Sequence, residues 1–112
     1  TKGNLPLWLV PIQVKILPIS EKQNDYCEEL LEKVQKTGIR VAYDSRNEKI
    51  GYKIREAQME KIPYMLVVGD KEKEENKVTV RSRSKADLGT ISIDEFIEKV
   101  LGEIKDKKSI GE

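Results

Sequence analysis

Pro63-Tyr64-Met65-Leu66-Val67-Val68-Gly69 decides the fold. Five consecutive apolar residues between a proline and a glycine are too short for a helix. They read as a strand buried on both faces, which belongs at the centre of a sheet with helices on either side. Upstream lies an amphipathic stretch from about Lys49 to Lys61, with Ile50, Ile54 and Ala57 on one stripe. Tyr52 and Met59 fall opposite, so this helix is expected to be covered on two faces. Before it, Ile39, Val41 and Tyr43 alternate as a second strand, joined to the helix by the polar turn Asp44-Ser45-Arg46-Asn47. Downstream, Asp70 to Asn76 reads as a charged loop. Val78 and Val80 then alternate with Thr79 and Arg81 as a fourth strand that points Arg81 and Arg83 to one face.

The outer parts complete the pattern. Ile12, Val14 and Ile16 alternate with Gln13 and Lys15, predicting a first strand with one buried face. Ser20 and Gln23 have capping-box spacing. They open a helix to about Lys36 that buries Cys27, Leu30, Leu31 and Val34, and Gly38 suits the left-handed stop. A short fifth strand fits near Leu88–Ile91. Ser92 and Glu95 repeat the capping-box spacing before a last helix carrying Phe96, Ile97, Val100, Leu101 and Ile104. The order β-α-β-α-β-β-α makes the first three strands parallel and the fourth antiparallel. Residues 1–11 read as a lead-in linker broken by Gly3, Pro6 and Pro11, residues 12–105 as the domain, and residues 106–112 as a frayed tail.

Composition removes several classes of function. The 112 residues suit one domain with its own core. There is no histidine, which excludes the commonest general base and metal ligand. The single Cys27 excludes an internal disulfide and a cysteine zinc cluster, and it reads as core. No apolar run reaches the length of a membrane span, no signal peptide is visible, and a reducing cytoplasm is the expected home. The chain opens on Thr1 rather than methionine, as an excised or processed piece would. Lys+Arg is 21 against Asp+Glu 20, so any nucleic-acid face must arise from local arrangement.

That arrangement is expected at the carboxyl ends of the parallel strands, where open α/β sheets bind ligands. The loops 44–49 and 69–76 reach this edge with Asn47, Glu48, Asp70, Lys71 and Glu72. The fourth strand starts there and carries Arg81 and Arg83 inward from it, and Lys77 to Lys85 holds four basic residues and no acid. Amides and carboxylates for base edges beside arginines for phosphates are what nucleic-acid recognition needs. A solvated charged surface gives the same pattern. A catalytic or Mg²⁺-binding reading of Asp44, Glu48, Asp70 and Glu72 finds neither histidine nor pocket residues around them. No phosphate-binding glycine loop is present, because Gly51 and Gly69 stand alone.

Arg46-Asn47-Glu48-Lys49-Ile50-Gly51-Tyr52-Lys53-Ile54-Arg55-Glu56-Ala57-Gln58 resembles the signature of threonyl-tRNA synthetase C-terminal domains. Ile62 to Glu72, Val80-Arg81-Ser82-Arg83, Asp87-Leu88-Gly89 and the approach Trp8 to Val14 extend the resemblance to roughly residues 5–104. Class II synthetases for proline, glycine and histidine share the fold, but the two unbroken segments favour threonine. The resemblance implies a three-layer α/β/α domain with a mixed, about five-stranded sheet and three helices. It implies a domain that reads the second and third anticodon bases of tRNA-Thr, a G and a U. Asn47 and Glu72 match base-edge readers, and Arg55 and Arg81 match partners of bases or adjacent phosphates. Arg83 is taken with them. Lys61 stands at a family arginine site, keeping the charge and losing the planar fork.

The same resemblance implies that this chain has no catalytic site, metal or cofactor of its own. ATP, magnesium and zinc would serve the rest of the parent enzyme, which forms a homodimer through its catalytic part, while the piece alone is expected to be monomeric. The partner is the tRNA-Thr anticodon loop, with no role for DNA or a membrane. The alternative is a free-standing accessory tRNA-binding module of the same fold.

Overall fold

The computed structural model describes residues 11–46, 48–82 and 89–106, the last three by backbone alone. Five strands form one mixed sheet: β1 (Val14–Pro18), β2 (Val41–Tyr43), β3 (Tyr64–Val68), β4 (Lys77–Ser82) and β5 (Gly89–Ser92). The spatial order is β2-β1-β3-β4-β5. β1 runs parallel to β2 and β3, and the hairpin-like returns make β3/β4 and β4/β5 antiparallel. The helices are α1 (Asn24–Lys36), α2 (Ile50–Met59), α3 (Asp70–Glu75) and α4 (Ile93–Asp106). The three-layer mixed-sheet architecture is the expected one, with three long helices and the short α3 in addition.

Most of the pattern follows from residue spacing. Tyr64, Met65, Leu66 and Val68 are buried, because β3 lies in the middle of the sheet and is packed from both sides. One face of the sheet, Val14, Ile16, Tyr64, Leu66, Val68, Val78 and Val80, meets Tyr26, Cys27, Leu30 and Val34 of α1 and Ile93, Phe96 and Val100 of α4. The Tyr64 and Phe96 rings meet edge to face with centroids 5.5 Å apart. The other face has a smaller core, Leu17 and Met65 against Ala57 and Ile62, with Ile12, Ile50 and Ile54 packed on it. Only α2 covers this face among the described residues. Among the described residues it is open toward β4 and β5, where Thr79 and Arg81 are half-buried and Thr90 is exposed.

Several expectations need correction. β1 buries both faces, because Leu17 points at α2 while Val14 and Ile16 point at α1. α2 is covered on one face only, since Tyr52 and Met59 are exposed. The first helix is split: Ser20 caps a 3-10 turn at Glu21–Gln23, and α1 starts at Asn24. The 70–76 stretch is a helix, not a loop. Glu72 Oε1 accepts the Gly69 N–H at 2.7 Å at the helix start, and Asn76 ends the helix in the left-handed conformation at φ 56°. Gly38 is left-handed as expected, at φ 91°. Ser92 Oγ accepts the Glu95 N–H at 3.2 Å, so the last residue of β5 caps α4. That helix continues through Asp106. Trp8 and its neighbours in 1–10, and residues 107–112, lie outside the described residues.

Candidate nucleic-acid interface

The carboxyl edge of the parallel strands is tied together by side chains that bond across elements. Gln23 Nε2 donates to Asp70 Oδ1 at 2.6 Å, joining the start of α1 to the start of α3. Lys73 Nζ donates to the Lys22 carbonyl at 2.9 Å. Lys53, only 2% exposed, extends from α2 and donates to the Pro18 carbonyl at 3.1 Å and the Asp44 carbonyl at 3.4 Å. It thereby fastens α2 to the ends of β1 and β2. Sequence reasoning passed over Lys53, although positions 50, 53, 54 and 57 share one helical stripe and a lysine there must bring its ammonium to acceptors. Between the loops is a polar crevice of about 150 Å³ lined by Ser20, Asn24, Ser45, Arg46, Glu48 and Lys53, among others.

Glu72 is the best-defined of the proposed readers. One carboxylate oxygen accepts the Gly69 N–H at 2.7 Å and the other accepts the Thr79 hydroxyl at 2.9 Å. Thr79 Oγ1 also lies 3.0 Å from Thr90 Oγ1, its cross-strand neighbour. Burial pushes the Glu72 pKa up, but the Gly69 and Thr79 donors, with Lys71 nearby, outweigh it and hold the carboxyl below its ordinary value. Glu72 is therefore an ionised acceptor at neutral pH, fixed at the mouth of the open sheet face.

The fourth strand starts at that edge and carries Arg81 inward from it, four residues beyond Lys77. Register places Arg81 opposite Met65, the second residue of β3, so it sits toward the amino end of the parallel strands. Arg81 lies on the open α2 side, and its Nε is buried with no hydrogen-bond partner among the described residues. Arg55 is exposed on α2. Lys61 is exposed just beyond α2, in the left-handed conformation at φ 60°, and its N–H caps the Gln58 carbonyl at 3.0 Å. Asn47 and Arg83 lie outside the described residues.

The structure adds a cluster the sequence reading did not name. Arg46 donates to Asp44 through Nε at 2.9 Å and Nη2 at 2.8 Å, and it also binds the Glu56 carboxylate. Asp44 is buried, and the Arg46 hydrogen bonds hold its carboxyl below the usual range against the effect of burial. The Arg46 guanidinium lies over the Tyr52 ring, 5.8 Å from its centroid. Arg46 and Glu56 are ten residues apart, on a loop and a helix, and no periodic signal pairs them. Among the described residues no group of three or more His, Cys, Asp or Glu could hold a metal ion, and no helix is long and apolar enough to cross a membrane.

Comparison with known proteins gives this geometry a family. The Anticodon binding domain family matches residues 13–103. The threonine–tRNA ligase of Caldanaerobacter subterraneus subsp. tengcongensis is 60% identical over 105 residues, 94% of this chain and 16% of that protein. That of Clostridium botulinum is 57% identical over 105 residues, with the same two coverages of 94% and 16%. Among solved structures, the RNA binding domain of threonyl-tRNA synthetase from Cryptosporidium parvum Iowa II superposes with a TM-score of 0.86 at 35% identity. The match covers 90% of this chain and 26% of that one. Prolyl-tRNA synthetase from Cryptosporidium parvum gives a TM-score of 0.82 at 28% identity, over 92% of this chain and 22% of that one. The chain thus spans about one-sixth of the length of the curated relatives, 16%.

Proposed function

Because this chain belongs to the anticodon binding domain family, in the form carried by threonine–tRNA ligases, we propose that it recognises the anticodon loop of tRNA-Thr. The family match over residues 13–103 carries the reading, and the 60% identity to a threonine–tRNA ligase selects threonine among the class II relatives. Recognition falls on the second and third anticodon bases and positions the tRNA for threonylation by the catalytic part of the parent enzyme. Asn47 and Glu72 read base edges; Arg55, Lys61, Arg81 and Arg83 hold bases or adjacent phosphates. An ionised carboxylate such as Glu72 accepts from the ring and amino N–H groups of guanine, which suits a central G.

The chain needs no cofactor for this task and has no catalytic residue; ATP, magnesium and zinc act elsewhere in the parent enzyme. It binds neither DNA nor membrane, is monomeric alone and works in the cytoplasm, while the parent enzyme dimerises through its catalytic part. The test is binding of a tRNA-Thr anticodon stem-loop, followed by NMR shift mapping and compared with loops altered at the central G and the third-position U. Preferential binding of the cognate loop, with shifts clustered at Glu72, Thr79, Arg81 and α2, is the expected result. Equal binding of unrelated loops would reject anticodon recognition and leave the fold standing.

A further inference from the structure

We infer that the exposed ring of Tyr52 is a stacking platform for one unstacked nucleobase of the bound RNA loop. The inference rests on the anticodon reading and adds to it a residue which that reading does not use.

Tyr52 is 48% exposed in the first turn of α2, beside the carboxyl edge of the sheet. An aromatic ring half out of the core is unusual enough here to need a reason, since only Ile19, Tyr52 and Met59 are large exposed hydrophobics among the described residues. The ring is also held in place. Arg46 lies over it, 5.8 Å from the ring centroid, and the nearby Glu56 carboxylate pushes the pKa of its hydroxyl up. Arg46 is fixed in turn by buried Asp44 and by Glu56. A ring ordered before binding loses little conformational freedom when a base stacks on it.

The chemistry of the cluster selects a base rather than a phosphate. The Arg46 charge is already matched by two carboxylates, so the cluster offers an anion no net positive charge. It offers instead a π face with flanking carboxylates, which suits a nucleobase and its N–H donors. Single-stranded loops are recognised largely in this way, by stacking unpaired bases on aromatic side chains. Position agrees. Tyr52 follows Asn47 by five residues in sequence and precedes Arg55 by three, which sets Arg55 about 60° away on the surface of the same helix. The ring therefore stands on the same helix as Arg55, one of the residues proposed to contact the anticodon.

The experiment uses the 112-residue chain and tRNA-Thr anticodon stem-loops carrying fluorescent 2-aminopurine at each loop position in turn. Wild type is expected to quench one position strongly on binding. Tyr52→Phe, which keeps the π face and loses the hydroxyl, should do the same. Tyr52→Leu, which keeps apolar bulk without the π face, should lose that quench. Its affinity should fall about 5- to 150-fold for cognate and mismatched loops alike, because stacking is sequence-tolerant. Tyr52→Trp, with a larger face, should bind at least as tightly as wild type, which separates lost stacking from lost folding. Wild-type affinity and quenching in Tyr52→Leu would overturn the platform, while Glu72→Ala could still relax discrimination and leave the anticodon reading intact. Equal loss in Tyr52→Phe and Tyr52→Leu would also overturn it, by making the hydroxyl rather than the ring face the purpose of the residue. Failure of wild type to bind the stem-loop would overturn both readings.

Discussion

The Thr79 hydroxyl donates to the Glu72 carboxylate at 2.9 Å, joining the third residue of β4 to the cap of α3. Glu72 thus has two occupations. It closes α3 by accepting the Gly69 N–H, and it presents the remaining lone pairs of an ionised carboxylate to the open sheet face. A carboxylate held by two donors keeps its orientation, which lets one hydrogen-bond acceptor discriminate between bases.

Glu72→Ala should relax discrimination at the central anticodon G by ~1–3 kcal/mol, the usual value of a lost base contact. Thr79→Val removes one donor at nearly constant volume and should raise the Glu72 pKa toward its ordinary value, as read by carboxyl-carbon NMR titration. Because the Glu72 pKa is depressed in the folded state, its stabilising contribution is present above the normal carboxylate range. It is lost as pH falls through the depressed value, and Thr79→Val should move that loss to higher pH. Unchanged preference for the cognate loop in Glu72→Ala would remove it from the recognition set.

Arg81 should be worth more to binding than to folding. Its buried Nε has no partner, and an unsatisfied buried polar group costs about 1–3 kcal/mol. Arg81→Met keeps the stem and removes that group, so thermal stability should hold or rise. RNA affinity should drop. If Arg81 contacts a phosphate, the salt dependence should become shallower by roughly 0.7–0.9 in log–log slope. If it contacts a base, the slope should stay and anticodon preference should fall. Unaltered affinity and slope would make Arg81 a strand residue alone.

The strands, the central place of β3 and the polarity of the first four were readable because each strand carries its own local signal. Tyr64–Val68 is a continuous apolar run, and Val78/Val80 alternate cleanly with half-buried Thr79 and Arg81. What escaped was set by partners distant in sequence. Leu17 breaks the alternation of β1 because α2, more than thirty residues later, needs something to pack against. Asp70–Glu75 has helix-forming residues but no apolar stripe, and its helix depends on the Glu72 cap to Gly69. The direction of β4, which carries Arg81 inward from the carboxyl edge, was legible, but the residue it faces on β3 was not. A shift of a few residues along β4 separates a loop-edge arginine from one opposite Met65. Among the site residues, Glu72, Arg55, Lys61 and Arg81 came from a family signature; physical spacing alone left them as a charged surface.

Cys27 should be inert while the chain is folded. It is fully buried on α1, and burial pushes its thiol pKa up to about 12, with Lys53 pulling weakly the other way. Thiolate is the reactive form, so it is scarce at pH 8 as well as inaccessible. Labelling by a disulfide reagent should therefore proceed only through unfolding. Its rate should rise steeply with denaturant and match the unfolding equilibrium measured by circular dichroism. Rapid stoichiometric labelling in native buffer would mean that α1 opens locally. Cys27→Ala should cost on the order of 1 kcal/mol from lost packing.

The last expectation concerns acid. Arg46 hydrogen bonds lower the pKa values of both Asp44 and Glu56, with burial opposing the shift in each case. Carboxylates whose folded values lie below their unfolded ones stabilise the native state at neutral pH. That contribution disappears as pH falls through those depressed folded values. Arg46→Met removes the common partner and leaves Asp44 buried without its cation, so it should lower Tm at pH 7. The gap in Tm between wild type and Arg46→Met should then narrow as pH falls from about 5 to 3, because protonation removes from wild type what the substitution has already removed. The variant should also lose the order of the Tyr52 ring, seen as sharper, more averaged ring signals in NMR. A Tm gap independent of pH would show that Arg46 acts through the packing of its stem rather than through the two carboxylates.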